Sequence, residues 1–147
     1  MKIQIVTTCE QSQRLLRCGV SADTADMCYQ FIDECVNNTD NPICNTPKEQ
    51  FDTIRGYGFG NYRIHITPAW SLSALLGLLP KRIKRGDCSD YTLSLSCDGC
   101  FWDLEYTYAR YCGEDDSLVL FEDADPIEVC VKAIEWLTEN NYKLNEQ

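Results

Sequence analysis

The chain has 147 residues, 44% of them apolar and 11% aromatic, with a formal charge of −10. That length suits a single domain, large enough to bury roughly two-thirds of its unfolded surface without help from disulfides or metal. The composition excludes a disordered chain, and no apolar stretch approaches the length a membrane-spanning helix needs.

Ile3 and Ile5 alternate along Lys2 to Thr7, as in a short strand. Thr8-Cys9-Glu10-Gln11 fits a capping box, with a hydroxyl at the helix start and Gln three residues on. The helix it opens, over about 8–18, carries Leu15, Leu16 and Cys18 inward and ends at Gly19, a residue suited to a left-handed C-cap. Ser21 is placed to cap a second helix, over about 21–35. Within it Ala25, Cys28, Ile32 and Cys35 form a helical stripe, although Met27, Tyr29 and Phe31 also alternate as a strand would. Periodicity alone favours the helix.

Residues 37–61 have the asparagines, prolines and glycines of a long loop. Tyr62 to Ile66 reads as a strand, and Thr67-Pro68 opens an apolar helix over about 68–79, closed by Pro80. Lys81-Arg82-Ile83-Lys84-Arg85 reads as a solvated basic connection.

Tyr91, Leu93, Leu95 and Cys97 alternate with Thr92, Ser94 and Ser96, the pattern of a strand buried on one face. Asp98-Gly99 suits a type I′ hairpin turn. The return strand, about 100–111, has Trp102, Leu104, Tyr106 and Tyr108 on one face, and a third strand covers about 117–122. Asp125 caps a last helix over about 126–140, with Pro126 at its first position. Ile127, Cys130, Val131, Ile134 and Leu137 make its inward stripe. The expected fold is α+β, an antiparallel three-strand meander packed by helices.

Three segments carry a resemblance. They are Glu10-Gln11-Ser12 through Leu15-Leu16 to Gly19-Val20 and Thr24-Ala25-Asp26-Met27; Pro68 to Leu76 with Leu78-Leu79-Pro80; and Asp125-Pro126 through Val131 to Glu135-Trp136-Leu137. Together they cover about a third of the chain and resemble a family of small proteins from phages and mobile elements of gut bacteria. The family has no assigned activity, so the resemblance implies a setting rather than a mechanism. It also implies a strand after Met27.

The N-terminus lacks an apolar run of signal-peptide length, so a cytoplasmic location is expected. In a reducing compartment the ten cysteines act mainly as small core hydrophobes. Cys97-Asp98-Gly99-Cys100 has C-x-x-C spacing, but zinc would need a second pair close in space, with Cys88, Cys112 and His65 as the conceivable donors. The hairpin turn explains the spacing without metal, and no cofactor is implied.

His65 is the only histidine, so any Cys–His or Ser–His pair would use it. Its place between Ile64 and Ile66 suits a surface histidine on a strand. Arg55 to Tyr62, Gly-x-Gly-x-Gly with interleaved aromatics, resembles an RNA-stacking motif, but its third glycine stands where that motif has an apolar strand residue.

Charge divides the chain. Residues 1–97 hold ten acidic and ten basic side chains, whereas 98–147 hold thirteen acidic and three basic. The last third therefore repels phosphate backbones and attracts basic surfaces. Its acidic clusters, Glu114-Asp115-Asp116 and Glu122-Asp123 with Asp125, are the candidate binding residues, with a basic protein surface as the partner. They lack EF-hand spacing. A non-enzymatic accessory protein acting through this third, in its sharper form a nucleic-acid mimic, is the first expectation. An enzyme or small-molecule binder using the loop 55–62 and His65 is the second, and a nucleic-acid-binding module the third.

Overall fold

The computed structural model describes residues 4–32, 64–86, 89–108 and 116–145. It is α+β, with three α-helices and two antiparallel sheets among the described residues. The chain clusters into two compact units, Met1–Leu75 and Leu76–Gln147.

In the first unit, helix α1 (Cys9–Arg17) starts at the expected capping box. The Gln11 amide donates to Thr8 Oγ1 at 3.2 Å, and the Thr8 amide donates to Gln11 Oε1 at 2.9 Å. These bonds satisfy two of the amides that a helix start leaves without partners. At the other end Gly19 takes φ +88°. Its amide donates to the Leu16 carbonyl and that of Val20 to the Leu15 carbonyl, the paired bonds of a Schellman motif.

The helix expected over 21–35 gives way to other structure. Ser21 caps only a 3₁₀ turn, Ala22–Thr24, and strand β1 (Met27–Ile32) follows. β1 pairs antiparallel with β2 (Ile64–Ala69), from Met27 opposite Ala69 to Ile32 opposite Ile64. A partner more than thirty residues away thus decides between two local periodicities, as tertiary pairing commonly does over weak propensity.

The same pairing moves the next boundary. Pro68 lies in β2 opposite Cys28 and does not open a helix. Strand pairing reaches Ala69, and helix α2 (Leu72–Leu78) begins after Ser71, whose Oγ accepts from the Ala74 amide at 3.2 Å. The Ser71 amide and hydroxyl both donate to the Asp26 carboxylate. Of the strand expected over residues 2–7, Lys2 and Ile3 lie outside the described residues, and the rest forms an isolated bridge between Val6 and Ser71. Trp70, Leu15, Cys28 and Val6 are buried in this unit.

The second unit is built on a four-stranded antiparallel sheet in the order β3 (Arg82–Arg85), β4 (Ser89–Cys97), β5 (Trp102–Tyr108), β6 (Asp116–Asp123). The last three strands are the expected meander. The addition is β3, an edge strand made from the basic run Lys81 to Arg85. Only its Ile83 is buried, opposite Tyr91, so a strand that contributes one apolar side chain looks like a polar connection in sequence.

Helix α3 (Pro126–Glu139) starts as expected, with Asp125 Oδ1 accepting from the Ile127 amide at 3.0 Å. Its Ile127, Cys130, Val131, Ile134 and Leu137 are buried, as are Leu104 and Tyr106 on β5. Trp136 of α3 packs edge-on against Phe121 of β6, with ring centroids 6.4 Å apart, which places the helix over one face of the sheet. The fully buried Ile, Val and Leu side chains contribute roughly 1.5–3 kcal/mol each. Asn141, at φ +63°, ends α3 in the same way Gly19 ends α1, with Tyr142 donating to the Leu137 carbonyl.

The hairpin between β4 and β5 is shifted by one residue from expectation. Cys97 pairs with Trp102, and the Asp98 amide donates to the Phe101 carbonyl at 3.1 Å. Gly99 and Cys100 are therefore the central residues, and only Gly99 has positive φ, +100°. A type II′ turn puts its glycine at that first central position. Asp98 Oδ1 accepts from the Cys100 and Phe101 amides at 2.9 and 2.8 Å, which holds this alternative.

Candidate functional site

Register sorts the sheet into two faces. Tyr91, Leu93, Leu95, Leu104, Tyr106, Val119 and Phe121 share the face that α3 covers. The opposite face is polar apart from Leu120. Across it run Arg82, Thr92, Thr107 and Ser117 in one row, Ser94, Glu105 and Leu120 in the next, and Ser96, Asp103 and Glu122 in a third. A bulge between Tyr106 and Thr107 keeps both ends of β6 in phase with this pattern.

The charges on that outer face are graded. Asp103 and Glu122 are register partners and Glu105 is two residues along β5, so three carboxylates gather on the β5–β6 side. Arg82 and Lys84 stand on the β3 side, with the Arg82 guanidinium 3.7 Å from Asp90. Ser117 donates its hydroxyl to Glu105 at 3.2 Å. Like charges directly opposite one another disfavour a lone sheet, and a cationic partner relieves that repulsion.

The candidate residues taken from the sequence are divided by the structure. Glu122 is exposed on the outer face. Asp116 and Asp123 point to the helix-covered face. Asp116 accepts from the Tyr91 hydroxyl at 3.2 Å, and Asp123 accepts from Lys132 Nζ at 2.9 Å and from the Asp125 amide at 3.0 Å. The hydrogen bond from Lys132 holds the Asp123 carboxyl below its ordinary range. Asp125 caps α3. Glu114 and Asp115 lie outside the described residues, as do the Arg55 to Tyr62 segment and the loop 37–61.

Asp103 and Glu105 were the acids missed in sequence. Their signal was present: they alternate with Trp102, Leu104 and Tyr106, so a strand with those three facing inward sends both carboxylates outward.

Of the candidate zinc donors, Cys88 and Cys112 lie outside the described residues. Cys97 and Cys100 are exposed free thiols at the hairpin, and His65 falls on β2 opposite Phe31 in the other unit. Among the described residues no group of three or more His, Cys, Asp and Glu is arranged to hold a metal ion. Cys130 is buried, which, with the Asp125 charge nearby, pushes its thiol up to about 12. Burial, and then the neighbouring Cys130, likewise push the Tyr106 hydroxyl up. Both groups are core residues with their protons on.

No helix among the described residues is long and apolar enough to cross a membrane. Comparison of the chain with protein-family models, curated proteins and solved structures finds no match.

Proposed function

We propose that this is a non-enzymatic accessory protein of the cytoplasm that acts by contact with a basic protein surface through its acidic C-terminal third. The observation that carries the reading is the outer face of the four-stranded sheet, where register gathers Asp103, Glu105 and Glu122. A helix covers the opposite face, so the sheet is braced from behind and strand pairing sets the backbone positions of its acidic residues. The spacing between neighbouring strands, about 4.8 Å, and between alternate residues, about 6.7 Å, sets these charges at intervals comparable to those of phosphates on a nucleic-acid backbone. In its sharper form the face mimics nucleic acid and occupies a basic binding site. The resemblance to proteins of phages and mobile elements supplies a setting in which such a blocker has a use.

The test is capture from a lysate with the immobilised protein. The expected partner is retained at low salt, released as salt rises, and displaced by double-stranded DNA or RNA. Asp103→Asn with Glu105→Gln removes two of the three carboxylates on the β5–β6 side of the outer face while leaving Asp116, Asp123 and Asp125 to their structural hydrogen bonds. Loss of capture by this variant is expected; unchanged capture overturns the proposal.

A further inference from the structure

The two edges of the four-stranded sheet carry opposite charge. At one edge β3 has Arg82, Lys84 and Arg85, with Lys81 directly before it. At the other, β6 has Asp116, Glu122 and Asp123. Both edges are open among the described residues, since β3 pairs only with β4 and β6 only with β5. No described backbone hydrogen bond reaches the outer side of either strand. Leu120, on β6, is 53% exposed, an apolar side chain on an edge left unpaired among the described residues.

We propose that the partner of each edge is the opposite edge of a second copy of this chain, so that copies associate head to tail through β6 and β3. Three features fit together. The first is direction. In a four-strand meander the first and last strands run antiparallel, so a copy added with its sheet facing the same way lays its β3 antiparallel on β6. The second is register. Pairing Glu122 with Arg82 of the second copy sets Phe121 opposite Ile83, Asp123 opposite Lys81 and Leu120 beside the stem of Lys84. Outer-face residues then meet outer-face residues, and helix-side residues meet helix-side residues, along the whole contact.

The third feature is selectivity. Charged residues on edge strands ordinarily prevent pairing. Here each edge repels its own kind, which disfavours a two-fold dimer, but the unlike edges attract. A heterologous contact of this kind leaves one free edge on each end, so it builds rings or chains. The proposal shares Glu122 with the outer-face reading, but its test needs only the purified protein, so the two fail separately.

Sedimentation velocity of the full chain at low ionic strength tests it. The wild type is expected to associate with rising concentration and to dissociate as salt screens the edges. Two variants reverse the outer-face charge of one edge each: Arg82→Glu with Lys84→Glu, and Leu120→Lys with Glu122→Lys. All four positions are exposed, and circular dichroism checks that both variants are folded. Each alone is expected to be monomeric where the wild type associates, because the outer-face positions of its two edges then carry one sign. An equimolar mixture is expected to recover association, since the reversed edges are complementary to each other. A wild type that stays monomeric, single variants that associate as it does, or folded variants that fail to rescue each other would overturn the proposal.

Discussion

Lys132 Nζ donates to Asp123 Oδ2 at 2.9 Å, tying the middle of α3 to the end of β6. The same carboxylate accepts from the amide of Asp125, the residue that caps α3, so one side chain joins strand end, cap and helix. The Lys132 bond lowers the pKa of Asp123 in the folded state. A depressed carboxyl stabilises the fold above its unfolded value, about 3.9, and loses that contribution as pH falls through the folded value. The pair is about a third exposed, so Lys132→Met is expected to cost about 0.5–1 kcal/mol at neutral pH. Urea titrations of both proteins should show the difference closing below pH ~4. A difference that persists at lower pH would place the effect in packing of the lysine stem.

Thr7 is fully buried, and its hydroxyl accepts from the Trp70 amide at 3.0 Å while sharing a 2.8 Å bond with the Ser12 hydroxyl. Thr7→Val keeps the shape and deletes both bonds. It leaves the Trp70 amide and the Ser12 hydroxyl without this partner in a dry site, at an expected cost of about 1–3 kcal/mol. Thr7→Ser retains the hydroxyl and is expected to recover most of the loss. Thermal unfolding of the three proteins, followed by tryptophan fluorescence, measures both effects.

The thiols should separate by reactivity. Burial raises the Cys28 thiol, and burial with the Asp125 charge raises Cys130, while Cys97 and Cys100 are exposed on the hairpin. Thiolate is the reactive form and needs access, so among the described cysteines alkylation of the native protein should mark Cys97 and Cys100 before Cys28 and Cys130. Cys28 and Cys130 should react only on unfolding. Peptide mass mapping over time reads the order, and early labelling of Cys130 would mean that α3 opens locally.

Elements specified by adjacent residues were legible in the sequence, and those specified by remote ones were not. Thr8 with Gln11, Gly19, and Asp125 with Pro126 each declare a helix end through bonds spanning a few residues. The alternation from Tyr91 to Tyr106 declares two strands because one face is buried. Met27 to Ile32 supports two periodicities, and only Ile64 to Ala69 selects the strand. Pro68 suits a helix start as well as it suits a two-stranded sheet with free edges, so its type could not decide. For the site, acid clusters in sequence pointed to Asp123 and Asp125, which hold the fold together. The surface acids Asp103 and Glu105 were dispersed between aromatic neighbours and emerged only when strand pairing set them beside Glu122.

The hairpin turn offers the clearest separation of backbone from side-chain effects. Gly99 has φ +100°, and a methyl group added there meets nothing within 4 Å. Any cost of Gly99→Ala is therefore conformational, about 1–2 kcal/mol for an L-residue held on the left-handed side. Gly99→Asn is expected to cost less, since asparagine tolerates positive φ better. Asp98→Ala removes the acceptor for the Cys100 and Phe101 amides, whose bonds also lower the Asp98 carboxyl, the Phe101 bond more than the Cys100 bond. With that acceptor gone, the Asp98-Gly99 type I′ turn competes with the Gly99-Cys100 turn only if position 98 accepts positive φ, which alanine disfavours. Asp98→Asn can accept it. Backbone chemical shifts and amide exchange at Cys100 and Phe101 should therefore show Asp98→Ala loosening the existing turn and Asp98→Asn keeping it ordered. A turn unchanged by either substitution would mean that the pairing of Cys97 with Trp102 alone fixes the register.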